Sequence, residues 1–251
     1  MTKKTNGFVI YQGPSEIDGK PIVAIATGFA KGSANTKTGK GLIQTWILRA
    51  DMSPIEAIHA GADESICGHC PHRGRIENGR NVDRSCYVTV FQAPLVVFKA
   101  WGRGIYPKVV GRDASDLGKG RMVRVGSYGD PAAVPAYVWQ DFLSAADGWT
   151  GYTHQWANRP DLAAFCMASA DSLEDRAAAK DLGFRTFRVT NDISDLTKGE
   201  FICPASKEAG NKTTCDQCKA CGGLGSKARA DAVIQVHGAA AKVNAALRRA
   251  A

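Results

Sequence analysis

Seven of the eight cysteines in this sequence fall into two tight groups. Cys203, Cys215, Cys218 and Cys221 form a C-x11-C-x2-C-x2-C pattern in FICPASKEAGNKTTCDQCKACGG. Thiolates suit soft or borderline metals, and an x2 spacing lets neighbouring sulfurs face one ion from a single turn. Four cysteines complete either a tetrahedral zinc site or a [4Fe–4S] cluster, and a C-x2-C-x2-C run with one remote cysteine is a common cluster arrangement. Spacing leaves zinc and iron–sulfur both open. Cys67, Cys70 and Cys86 in CGHCPHRGRIENGRNVDRSCYV supply only three thiols. Their fourth position is open, or filled by His69, His72, Cys166 or an external ligand. An open position separates catalytic metal sites from closed structural ones. On a [4Fe–4S] cluster it would admit substrate or S-adenosylmethionine to one iron. The three-cysteine set is therefore the expected centre of chemistry, and the four-cysteine set its support. Cys166 sits in an apolar run and reads as a core thiol.

Three further groups could do acid–base or nucleophilic work. Asp130 in GSYGDP and Asp171 in ASADS both fall at predicted strand C-termini, with His154 and Gln155 of GYTHQW at the same level between them. The plainer roles are a turn shaped by Asp130 before Pro131 and a helix start supported by Asp171. SANTKTGKG has the composition of a phosphate-binding loop without its G-x4-GK[ST] spacing. Lys37 and Lys40 within it are expected to contact phosphate or substrate.

The elements that must position these residues read as an α/β chain. FVIYQGPSEIDGKPIVAIATG predicts a hairpin turning at Asp18-Gly19, and GLIQTWILRAD a further strand. Ser53-Pro54 opens a short helix, SPIEAIHAGA. CYVTVFQAPLVVFKAWGRG is a strand or a helix, apolar on most faces. From residue 121 strands alternate with helices. The strands are RMVRVGSYGD, TGYTHQW, AAFCMASAD and FRTFRVT. Between them lie the amphipathic VPAYVWQDFLSAAD and SLEDRAAAKDLG, the latter with Ser172 as N-cap and Gly183 as its stop. A cysteine-rich segment, a last strand DAVIQVHG and an alanine-rich basic helix follow. This rhythm implies parallel βαβ units whose sites sit at strand C-termini. The expected fold is a complete or partial (β/α) barrel with two cysteine-rich metal-binding loops. Residues 1–251 form a single α/β domain, with 200–226 a metal-binding insertion.

A hydrophobic fraction of 44% supports a real core. No run of eighteen apolar residues predicts a membrane span. The N-terminal residues lack a secretory signal, so a cytoplasmic setting is expected, where clustered cysteines mean metal or redox chemistry rather than disulfides. The net charge of +8 favours a nucleic acid or a phosphorylated small molecule as partner, although the basic stretches at Lys3–Lys4, Lys37–Lys40, Arg73–Arg84 and Arg248–Arg249 are short.

Taken in order, SANTKTGK, CGHC…SCYV, RVGSYGDPAAVPAYVWQDF, GYTHQW, MASADS and CPAS…CDQCKACGG…VIQVHG resemble a group of phage-encoded cysteine-rich proteins over roughly residues 33 to 238. That group shares N-x-KTG, Cys…CY and GD…Y…W segments and a terminal C-x2-C-x2-C…HG block. The resemblance implies a phage setting, hence a host cytoplasm, and a barrel. The chain is more faintly similar to radical S-adenosylmethionine enzymes, which join a partial barrel to a three-cysteine cluster. Their loop is C-x3-C-x2-C, whereas this one is C-x2-C-x15-C. It also resembles queuine-type transglycosylases, barrels with two catalytic aspartates and a zinc loop. That likeness would give those parts to Asp130, Asp171 and the 203–221 cysteines. Three functions follow as expectations: an iron–sulfur enzyme acting on a nucleotide or nucleic acid, a zinc-dependent base-modifying enzyme, or a metal-stapled nucleic-acid-binding protein.

Overall fold

In the computed structural model, residues 5–32, 37–109 and 111–250 are described, without the side chains of 248–250. Lys3–Lys4, the 33–36 part of the N-x-KTG segment and the Arg248–Arg249 side chains lie outside them. Eleven strands and eight α-helices occur among the described residues. Nine of the strands make one sheet: β1 (Gly7–Pro14), β2 (Pro21–Thr27), β3 (Ile43–Arg49), β6 (Met122–Tyr128), β7 (Gly148–Thr153), β8 (Met167–Ala170), β9 (Thr186–Thr190), β10 (Glu200–Ile202) and β11 (Asp231–Gln235). A separate two-stranded ribbon, β4 (Arg75–Glu77) and β5 (Arg80–Val82), lies within the first cysteine segment. The helices are α1 (Pro54–His59), α2 (Glu64–Cys67), α3 (Ala93–Gly102), α4 (Arg112–Gly118), α5 (Ala136–Leu143), α6 (Leu173–Asp181), α7 (Cys215–Cys218) and α8 (Ala240–Ala250).

The large sheet runs β1-β2-β3-β6-β7-β8-β9-β11-β10. The hairpin forms as its sequence predicts: β1 and β2 pair antiparallel, and the Lys20 N–H donates to Asp18 Oδ1 at 3.0 Å inside the turn. β2 pairs antiparallel with β3, and every later ladder is parallel. Strand order follows chain order until β10, which crosses β11 to take the edge. The 200–226 segment is thus not wholly an insertion, because its first three residues extend the sheet. Glu200 is conformationally committed there by Arg188, buried on β9 (2.8 Å).

Local chemistry explains the helix boundaries. Ser53 and Glu56 form a reciprocal capping box at α1, and Ser172 caps α6 by accepting from the Asp175 N–H. The run CYVTVFQAPLVVFKAWGRG resolves as helix only from Ala93, where Pro94 occupies the first turn. The main core lies between the strands and their flanking helices: Ile25, Ile47, Val123 and Val125 pack with Trp139 and Phe142 of α5. Cys166 is fully buried in this core, as expected of a core thiol, and a Cβ at Gly151 would come 2.9 Å from its sulfur. No helix among the described residues is long and apolar enough to cross a membrane.

Candidate functional site

Alternate residues on a strand share one face. Gln44 and Trp46 on β3, Arg124 on β6, Thr150 and Tyr152 on β7, Phe187 and Val189 on β9, Phe201 on β10 and Ile234 on β11 all line one cavity of about 490 Å³. That volume lies in the range of roughly 300–1,000 Å³ usual for small-molecule sites. Both cysteine sets form part of its wall: Cys67, Cys70 and Cys86 from the β3–β6 connection, and Cys203, Cys215, Cys218 and Cys221 from the segment between β10 and β11.

The three-cysteine loop is held by tight backbone contacts. Helix α2 ends at Gly68, whose φ of 54° and ψ of −134° strongly favour glycine. A Cβ there would come 2.4 Å from the Gln155 carboxamide carbon. That carboxamide clamps the loop, donating to the Cys67 carbonyl (3.2 Å) and accepting from the His69 N–H (3.4 Å). The Cys86 N–H donates to the His72 carbonyl at 2.9 Å, which brings the distant third cysteine back to the first two. Burial, then Asp63 and the thiols of Cys70 and Cys86, push the Cys67 thiol well up. Burial also raises Cys86, against the pull of Arg84.

The four-cysteine set is tied to the sheet. The Cys203 N–H donates to the Val233 carbonyl (2.8 Å), and the Gly151 N–H to the Cys221 carbonyl (3.0 Å). The carbonyls of Lys37 and Thr38 accept from the N–H groups of Cys215 (3.0 Å) and Asp216 (3.2 Å). Burial pushes the Cys221 thiol up to about 12, although the Tyr152 hydroxyl bonds it, and the other three thiols add to the rise. Burial raises Cys215 too, while Arg124 and Lys37 pull it down. Among the described residues no three cysteine sulfurs lie within 4.8 Å of one another.

Asp130, His154 and Asp171 do come together, but in unequal roles. Asp130 is buried and accepts from the Thr153 hydroxyl (2.7 Å) and the N–H groups of Ala132 (3.0 Å) and His154 (2.8 Å). Burial raises its pKa and those three donors oppose the rise. Asp171 receives His72 Nε2 at 2.9 Å and faces His154 Nε2 at 3.4 Å. Burial works against the Asp171 carboxylate, but the two imidazoles outweigh it and hold the pKa well below the usual range. Burial lowers the His154 pKa, and Cys70 and Asp171 together carry it well above the ordinary value. The other ring nitrogen of His72 lies 2.8 Å from Ser85 Oγ, so both its nitrogens are engaged away from the cysteines. His72, His154 and Asp171 are also the one trio among the described residues whose ligand-type atoms lie within 4.8 Å of one another.

The lysine expectation divides. Lys37 lines the cavity beside the four-cysteine set, whereas Lys40 is exposed and forms no part of the wall. Sequence reasoning passed over Arg124 and Tyr152. Their signal was present: an arginine at the centre of RMVRVGSY falls on the strand face that should be apolar. Comparison with protein-family models, with curated proteins and with solved structures finds no match to this chain.

Proposed function

We propose that this chain is an iron–sulfur enzyme of phage type, built on a partial (β/α) barrel and acting on a nucleotide or nucleic acid. The observation that carries this reading is that all seven clustered cysteines, divided three and four, line a single cavity. The barrel reading rests on curvature. β3 and β10 are separated by six inter-strand steps, which in a flat sheet at about 4.8 Å each would put them roughly 29 Å apart. Residues from both nevertheless line the same cavity.

Four thiols suit one zinc or one [4Fe–4S] cluster, and three suit a cluster with one iron left open. Positive groups flank each set, Arg84 beside Cys86 and Lys37 beside Cys215. The Tyr128 hydroxyl, close to Cys67, is buried without a hydrogen-bond partner and can donate to a cluster sulfur.

In this reading Cys203, Cys215, Cys218 and Cys221 hold a closed [4Fe–4S] cluster. Cys67, Cys70 and Cys86 hold a second with one iron left for S-adenosylmethionine or substrate. When bound, such clusters supply one-electron chemistry. The protein's own part is to exclude water, position His154 through Asp130, and hold a proton on His154 opposite Asp171. The transglycosylase alternative asks Asp130 to act on substrate, and its oxygens are already occupied by three donors. The net charge of +8 suits a polyanionic substrate, and free thiols suit a reducing cytoplasm. Anaerobic purification followed by iron, sulfide and zinc analysis tests the reading. About eight irons per chain and a brown protein are expected for two cubanes. A colourless protein with stoichiometric zinc would sink it.

A further inference from the structure

Arg124 lies on β6 and lines the cavity that both cysteine sets also line. Arg49, Arg84, Arg176 and Arg188 each pair with a carboxylate. Arg124 has none among the described residues. Its Nη2 donates to the Tyr87 hydroxyl at 2.9 Å, and its guanidinium carbon sits 5.5 Å from the Tyr152 ring centroid. A guanidinium offers five N–H donors in a fork that matches phosphate or carboxylate, and Tyr87 takes one of them. On the same cavity wall, the hydroxyls of Ser127 and Thr150 are buried without hydrogen-bond partners, their residues 8% and 2% exposed. Burying polar groups unpaired is costly, so a wall that does it repeatedly is shaped for a polar occupant.

The apolar part of the wall has its own character. Tyr152 and Phe187 meet edge to face with centroids 4.6 Å apart, and Tyr87 stacks on His237 at 6.2 Å with planes 24° apart. Aromatic faces of this kind receive flat unsaturated rings. We propose that the cavity binds a small-molecule anion whose phosphate or carboxylate head sits on Arg124, with Ser127 and Thr150 donating to it. Its planar body lies against the aromatic residues. This names the substrate class of the cavity described above and rests on that reading only for the clusters beside it.

The test is calorimetric titration of anaerobically prepared full-length protein with four probes: a nucleoside 5′-monophosphate, the matching nucleoside, benzoate and inorganic phosphate. Wild type, Arg124→Lys and Arg124→Met are compared, with iron and sulfide content measured on every sample. The wild type should bind the monophosphate or benzoate about tenfold to a hundredfold more tightly than the nucleoside, the worth of a charged forked hydrogen bond. The monophosphate identifies a phosphate head, benzoate a carboxylate head. Arg124→Met should abolish that preference, and Arg124→Lys, a point charge without the fork, should keep only part of it, both with iron and sulfide at wild-type levels. Should the methionine variant fail to fold, the lysine variant alone decides. The proposal is overturned if neither organic anion binds, if the preference survives in both variants, or if iron is lost with binding and returns in Arg124→Lys. That last result would make Arg124 the counter-charge of a cluster. A protein without iron that still shows Arg124-dependent anion binding would refute the iron–sulfur reading and leave this one standing.

Discussion

The backbone N–H of His154 donates to Oδ2 of Asp130 at 2.8 Å, while the N–H of Asp130 donates to the carbonyl of Ile66, next to Cys67. One buried aspartate thus fixes the end of β7 to the first cysteine loop. Its Oδ1 is filled by the Thr153 hydroxyl and the Ala132 N–H.

Asp130→Asn tests this brace. An amide can keep the two bonds at one oxygen, but its NH2 would then oppose the His154 N–H, donor against donor. The expected cost is about 2 kcal/mol, the worth of a hydrogen bond to a charged group, read as a lowered denaturation midpoint. On the iron–sulfur reading, iron retained by the Cys67, Cys70 and Cys86 set should fall with it, while the four-cysteine set keeps its share. Wild-type stability in this variant would show that the carboxylate is free for chemistry.

Asp130 also shows how far the sequence could be read. Its place at the end of RVGSYGD was legible because polar residues at parallel strand ends converge. The hairpin, α1, α5 and α6 were legible from turn residues, capping residues and apolar periodicity. The closing of the two cysteine sets on one cavity was not. It depends on sheet curvature and on long-range bonds such as Cys215 N–H to the Lys37 carbonyl, which no local pattern encodes. The strand β10 was hidden because three residues are too few to show alternation, and its burial depends on Arg188 and Glu200 meeting across the sheet.

That meeting gives a pH dependence. Burial pushes the Glu200 carboxyl up, but bonds from Arg188 and from the backbone and side chain of Thr197 outweigh it, leaving the pKa below its ordinary 4.5. A depressed carboxylate contributes stability that is fully present above the unfolded value and lost as pH falls through the folded one. The Glu200 contribution should therefore be flat near neutrality and fall below about pH 4.5. Glu200→Gln should cost about 3 kcal/mol at pH 7, because it leaves Arg188 and Arg176 short of a buried partner. It should also shrink the acid-side loss. Thermal unfolding of both proteins from pH 7 to pH 3 checks this, and parallel curves would remove Glu200 as a source of the acid transition.

The two cysteine sets should fail differently when cut. Cys70 is half-buried in a loop beside His154, and its N–H reaches only the neighbouring Cys67 carbonyl. Cys218 ends α7, whose first turn is docked on the Lys37–Thr38 backbone, and α7 packs its thiols against the edge of the sheet. On the iron–sulfur reading Cys70→Ala removes a ligand from the open set, so it should abolish activity and about half of the iron, with under about 1 kcal/mol lost from the fold, as for a partly exposed site. On the same reading Cys218→Ala opens the closed set, where metal binding and folding would be coupled, so the larger loss should be in stability. Iron content and denaturation midpoints measured on both variants decide the matter. A stable, inactive Cys218→Ala beside an unfolded Cys70→Ala would exchange the two assignments.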